Sequence, residues 1–92
     1  MKHAGPKTLD RLEPLLKQCR GLERLKEKSR GCFYLGGKGF LHFHEHGIDE
    51  IYADIGLGDA FERLPAMTAA QYKIILKRAR AALDDGKTVR GR

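Results

Sequence analysis

Eight consecutive residues, Gly39-Phe40-Leu41-His42-Phe43-His44-Glu45-His46, restrict what the rest of the chain can be. Apolar and imidazole side chains alternate along them, and a period of two means a strand with two unlike faces. Leu41 and Phe43 point one way; Phe40, His42 and His44 point the other. Gly36-Gly37 precedes this strand and is a hairpin signal, because both residues can take φ > 0. His46-Gly47 marks the next turn. The segment from Ile48 to Ile55 alternates again, with Ile51, Ala53 and Ile55 on one side and Glu50, Tyr52 and Asp54 on the other. Matching the apolar faces pairs Phe43 with Ile51 and Leu41 with Ala53. That register sets His44 beside Glu50 and His42 beside Tyr52.

The strand before, Cys32-Phe33-Tyr34-Leu35, has two readings. A three-residue loop puts Phe33 and Leu35 on the core face; a two-residue loop puts Cys32 and Tyr34 there. After the turn at Gly56-Leu57-Gly58-Asp59, residues Ala60 to Leu64 supply a fourth short strand, closed by Pro65.

Helices flank this meander. Thr8 is an N-cap candidate for a first helix, with Leu9, Leu12, Leu15 or Leu16, and Cys19 recurring at helical spacing. Pro14 argues for a start near Asp10 to Glu13, or for a short turn ahead of the helix. Gly21 ends it, and Leu22 to Ser29 reads as either a further helical turn or an irregular connector. Thr68-Ala69-Ala70-Gln71 is a capping box, with Met67 and Tyr72 spaced for a hydrophobic staple. The second helix then runs to about Asp84, with Tyr72, Ile75, Leu76, Ala79, Ala82 and Leu83 in one stripe. Gly86 ends it, and residues 1–6 and 87–92 are expected to be disordered. The fold class that follows is α+β: a single two-layer domain over 1–92. An antiparallel meander of three or four strands carries an N-terminal and a C-terminal helix on one face.

Composition bounds the function. Ninety-two residues allow one small core and one site or interface. Hydrophobic residues at 41% and charged ones at 33% describe a globular chain rather than a disordered one. No apolar run approaches the ~20 residues of a membrane span, and no signal peptide is visible at the start. Cys19 and Cys32 lie outside any Cys-x-x-Cys pattern, which fits two free thiols in the cytoplasm. The net charge of +6 is uneven: residues 1–30 carry +5, residues 31–66 carry −4 and residues 67–92 carry +5. Basic helices and an acidic sheet give the molecule sides of opposite sign.

The outward face of the His strand collects the candidate site residues: Phe40, His42, His44, Glu50, Tyr52 and Asp54. Two imidazoles on one strand face, with Glu50 or Asp54 as a hard third ligand, make a set for a divalent metal, zinc or iron, at His42, His44 and Glu50. The same His44 and Glu50 could act as an acid/base pair, but no nucleophile with a helper is evident, so no catalytic residue is assigned. Gly36-Gly37-Lys38-Gly39 lacks the spacing of a phosphate-binding loop and sits between strands, which makes it a hairpin. Lys73, Lys77, Arg78 and Arg80 could grip nucleic acid, although interleaved carboxylates also describe an ordinary solvated helix. An aromatic face that is not simply wet points to an interface or ligand groove. The leading expectation is a non-catalytic binding or self-associating module using its His/aromatic sheet face, as a homodimer or with a small ligand. A metal site and nucleic-acid binding through the helices are the alternatives, and no cofactor is required.

The stretch Phe33-Tyr34-Leu35-Gly36-Gly37-Lys38-Gly39-Phe40-Leu41-His42-Phe43-His44-Glu45, followed by Ala53-Asp54 and Phe61-Glu62-Arg63-Leu64, resembles small bacterial α+β domains with a Phe-Leu-His-Phe-His-Glu hairpin. The Gly-Gly-Lys hairpin is also similar to that of YjbR-like, double-wing domains, from which the C-terminal half departs. The resemblance covers roughly residues 30 to 83. It implies the α+β fold and a bacterial cytosolic origin, and it brings no catalytic residues.

Overall fold

The inward side chains of the His strand decide where the helices lie. In the computed structural model Leu41 and Phe43 are buried, and they share one core with Ala53 and Ile55 of the next strand. Leu12, Leu15, Leu16 and Cys19 of the first helix join the same core, as do Ile75, Leu76, Ala79, Ala82 and Leu83 of the second. The structure describes residues 2–47, 49–57 and 60–90, with the side chains at 57 and 85–90 outside that description. In chain order the elements are β1 (Lys2–His3), α1 (Pro6–Cys19), β2 (Leu25–Ser29), β3 (Cys32–Leu35), β4 (Lys38–Glu45), β5 (Ile51–Leu57), β6 (Ala60–Pro65) and α2 (Ala69–Arg90). The α+β class and the antiparallel sheet agree with the expectation. The strand count does not: the meander β2-β3-β4-β5-β6 has five strands, and β1 adds a sixth by pairing with β4.

Both additional strands were hidden for a polar reason. In β2, Leu25 and Glu27 lie opposite Leu35 and Phe33, so they share the inward side. Glu27 is a carboxylate at a position where alternation would call for an apolar residue. It is accommodated because Arg20 Nε donates to it at 2.6 Å and the Gly31 N–H at 2.9 Å. Neither the helical turn nor the connector expected for Leu22 to Ser29 describes this segment. In β1, Lys2 pairs with Glu45 and His3 with His44, although residues 1–6 were expected to be disordered.

The first hairpin combines features of both expected alternatives. Its loop is the two-residue Gly36-Gly37, with both φ positive (58° and 86°), as a tight turn of that length requires. Yet Phe33, not Tyr34, is buried at 1% exposure. The reconciliation is a bulge: Tyr34 pairs with Gly39 but Phe33 pairs with Leu41, which leaves Phe40 as an extra residue on β4. The bulge turns Phe40 to the same side as Leu41. Phe40 is therefore 4% exposed within the core, not on the outward face where strict alternation placed it.

The β4–β5 register is also corrected. Leu41 pairs with Ile55, Phe43 with Ala53, His42 with Asp54 and His44 with Tyr52. The expected parity is kept, but the pairing slides by two residues because the connection is longer than a tight turn. Glu50 belongs to that connection, where its carbonyl accepts the His46 N–H at 2.8 Å. The expected strand start at Ile48 and part of the turn at Gly58-Asp59 lie outside the described residues.

The helix ends follow the local chemistry with two changes. Gly5 is the N-cap of α1 and Pro6 takes the first helical position, where a missing N–H costs nothing. Thr8 is thus inside the helix, where it helps hold the Glu45 carboxyl below the usual carboxylate range. Pro14 sits within α1 on its exposed side, where the freed carbonyl of the preceding turn can be hydrated. The capping box of α2 forms as expected, with Gln71 N–H donating to Thr68 Oγ1 and Thr68 N–H to Gln71 Oε1, both at 3.1 Å. The helix continues past Gly86 to Arg90; glycine inside a helix costs only about 1 kcal/mol and is not an obligatory stop. No described helix is long and apolar enough to cross a membrane. Both cysteines are free thiols, and burial pushes the Cys19 thiol up to about 12.

Leu41 is completely buried between sheet and helices, whereas Ile74 on α2 is 50% exposed. Leu41→Ala is expected to lower unfolding free energy by about 3 kcal/mol, and Ile74→Ala by less than about 0.5 kcal/mol. Urea denaturation of both variants checks this; equal losses would refute the burial pattern.

Candidate functional site on the open sheet face

With Leu41, Phe43, Ala53 and Ile55 turned toward the helices, their strand neighbours His42, His44, Tyr52 and Asp54 are turned away from them. Phe61 and Arg63 of β6 share this side, because they pair with Gly56 and Asp54. The face is held together by one buried carboxylate. Asp54 is 5% exposed and accepts both arms of Arg63, Nε to Oδ1 at 2.8 Å and an Nη to Oδ2 at 2.9 Å. This two-armed geometry satisfies a buried charge better than any single donor. Arg63 holds the Asp54 carboxyl below the usual carboxylate range, against the opposing effect of burial. His44 Nδ1 also lies 2.9 Å from Asp54 Oδ2, but the approach is not in line for a hydrogen bond, so this is an electrostatic contact.

Around that centre the rings touch. His3 of β1 stacks on His44 with centroids 4.8 Å apart, and His42 meets His44 edge-on at 6.2 Å. Phe61 leans on His42 at 5.1 Å and is itself 53% exposed. Two glycines make room for these rings. A side chain at Gly39 would run into the His42 ring, and one at Gly56 would run into Phe61 and the Gly39 carbonyl. Burial pulls the His42 imidazole below its ordinary range; His44 and then His3 add to this, and Asp54 opposes it.

The expected site residues therefore separate. His42, His44, Tyr52 and Asp54 come together on one face. Phe40 leaves it for the core. Glu50 is exposed at the rim, where with His46, Tyr52 and Arg63 it lines an open groove of about 450 Å³. His3, Phe61 and Arg63 belong to the site but were not singled out from sequence; the signal available for Arg63 and Phe61 was the alternation of Ala60 to Leu64 across from Gly56 and Asp54. The proposed metal set does not assemble. Glu50 is displaced by the longer connection, both Asp54 oxygens are engaged by Arg63, and among the described residues no three His, Cys, Asp or Glu side chains are arranged to hold an ion. Nδ1 of His42 and Nδ1 of His44 are buried without a hydrogen-bond partner. On α2, Arg78 is committed to Glu62 at 2.6 Å, while Lys73, Lys77 and Arg80 are exposed.

No family model, curated protein or solved structure matches the chain.

Two predictions concern this site. Arg63→Ala removes both donors from a buried carboxylate and is expected to cost about 1–3 kcal/mol, against under about 1 kcal/mol for Arg78→Ala at its partly exposed pair with Glu62. Urea midpoints measure both, and equal small losses would contradict the Asp54 assignment. The second concerns acid. Folding favours neutral His42, so its contribution is full above about pH 6.5, the value in an unfolded chain, and is lost as pH falls from there toward the lower folded value. Asp54 contributes above its unfolded value and loses that only as pH falls through its still lower folded value. Stability is thus expected to drop on acidification from neutral pH, and His42→Asn is expected to flatten the near-neutral part of that drop. A His42 imidazole titrating at or above about 6.5 by NMR would refute the argument.

Proposed function

We propose that this protein is a non-catalytic binding module whose open sheet face receives its ligand or a second copy of the chain, with Phe61, His42 and Tyr52 as anchors. The observation that carries this reading is the exposed Phe61 packed at 5.1 Å against His42, on the side of the sheet turned away from both helices. A half-exposed phenylalanine held in a fixed ring cluster presents apolar area that has already lost its freedom to move. Such a group binds with little further entropic loss. The one buried charge beneath the rings is matched, since Asp54 and Arg63 neutralise one another. A metal reading would need a third ligand beside His42 and His44, and among the described residues no three His, Cys, Asp or Glu side chains are arranged to hold an ion. Two free thiols favour a reducing compartment such as the cytoplasm.

Backbone-amide NMR of the full chain tests this, first over about 20 µM to 1 mM protein for self-association, then with the anionic aromatic probe anilinonaphthalene sulfonate at low protein concentration. At least one series is expected to shift His42, His44, Tyr52, Phe61 and Arg63 and to lose that response in Phe61→Ser. No shifts in either series, or shifts confined to α1 and α2, would overturn the assignment.

A further inference from the structure

At the β2 end, the same open face carries a charge pattern that the central cluster does not explain. A groove of about 330 Å³ is lined by Arg24, Lys26, Lys28, Tyr34, Gly36 and Gly37. It contains two lysines, one aromatic ring, two residues without side chains and no carboxylate, while Arg24 at its margin donates an Nη to the Leu83 carbonyl of α2 at 2.8 Å. Lys26 and Lys28 form no ion pair with any described residue. Lys28 instead holds its ammonium over the Tyr34 ring, 4.6 Å from the centroid. Elsewhere on the surface four arginines are paired: Arg20 and Arg30 with Glu13, Arg63 with Asp54, Arg78 with Glu62. The positive charge of β2 is thus left open to solvent.

This groove is continuous in register with the ring cluster. Lys26 pairs with Tyr34, and Tyr34 pairs with Gly39, over which the His42 ring lies. His42 in turn touches Phe61. The face therefore reads, from one edge of the sheet to the other, as lysines, Tyr34, His42 and Phe61. Cations along one margin suit a phosphodiester backbone, and rings across successive strands suit unstacked bases. A duplex would hide its base faces and leave Tyr34 and Phe61 without a role. The glycine hairpin beside Tyr34 lets a backbone approach closely.

Building on the binding-face reading, we propose that the ligand is single-stranded nucleic acid. Its phosphates lie along Lys26 and Lys28, the Lys28 ammonium moving off the Tyr34 ring, and its bases stack on Tyr34 and toward Phe61. This differs from contact through Lys73, Lys77 and Arg80 of α2, which the experiment distinguishes.

Fluorescence anisotropy of the full chain with a labelled oligothymidylate of about 12 nucleotides, at about 50 mM salt, provides the test. The double variant Lys26→Gln/Lys28→Gln is expected to weaken binding about tenfold or more and to reduce the salt slope by about 1.4, two phosphate contacts on a single strand. Tyr34→Ala is expected to weaken it about tenfold at unchanged salt slope, a loss that a purely electrostatic surface would not show. Lys73→Gln/Lys77→Gln is expected to change little, and the matching duplex to bind more weakly. Amide spectra confirm that each variant is folded. Absence of binding by the wild type, binding insensitive to Tyr34→Ala, or loss only in the α2 variant would each overturn the proposal. If the oligonucleotide fails while the concentration or probe series still maps to His42, Tyr52 and Phe61, the ligand class is wrong and the binding face stands; if both fail, the face itself is wrong.

Discussion

Leu41 and Phe43 must be dry, and His42 and His44, one residue away from each, must not share their side. β4 can satisfy both demands only as a strand paired on its two edges, and it pairs with β3, β5 and β1. Sliding its partner by one residue would carry the imidazoles into the aliphatic core and expose the phenylalanine. The register found keeps Phe43 opposite Ala53 and Leu41 opposite Ile55, large against small and large against large, beneath helices that supply leucines and alanines. The other elements are placed by this single separation of faces. The bulge at Phe40 belongs to it as well: it lets a two-residue glycine turn coexist with an inward Phe33.

A second constraint acts at the edge of the sheet. β2 is too polar to be held by burial alone, and a chain of ion pairs docks it and its turn to α1. Arg20 bridges Glu13 and Glu27; Arg30 reaches Asp10 and Glu13. Arg20 and then Arg30 hold the Glu13 carboxyl down to about 2. Each of these pairs is solvent-exposed and contributes little alone. Because Arg20, Arg30 and Glu13 are each shared between partners, ordering one side chain serves two contacts. The inward charges of β2 are thereby matched, and its outward lysines are left unpaired. Glu45 performs the comparable task at the other end of β4, accepting the Gly5 N–H at 2.9 Å at the N-terminus of α1, where a carboxylate is favourably placed.

The sequence by itself determined the parity of β4 and β5, the Gly36-Gly37 turn, the capping box of α2 and the apolar stripe of α2. Each rests on interactions between residues a few positions apart, and such interactions are written in spacing. The outward placement of His42, His44, Tyr52 and Asp54 followed from the same alternation. The tertiary structure alone decided the strand status of β2, the inward turn of Phe40, the displacement of Glu50 and the entry of His3, Phe61 and Arg63 into the site. Glu50 moves with the length of its own connection; in the other cases the deciding partner lies elsewhere in the fold: Arg20 for Glu27, β3 for the bulge, β4 for His3, Asp54 for Arg63. A periodicity records which side of its own element a residue occupies, but whether a buried charge there is tolerated depends on a partner from another element, and no local pattern encodes that partner.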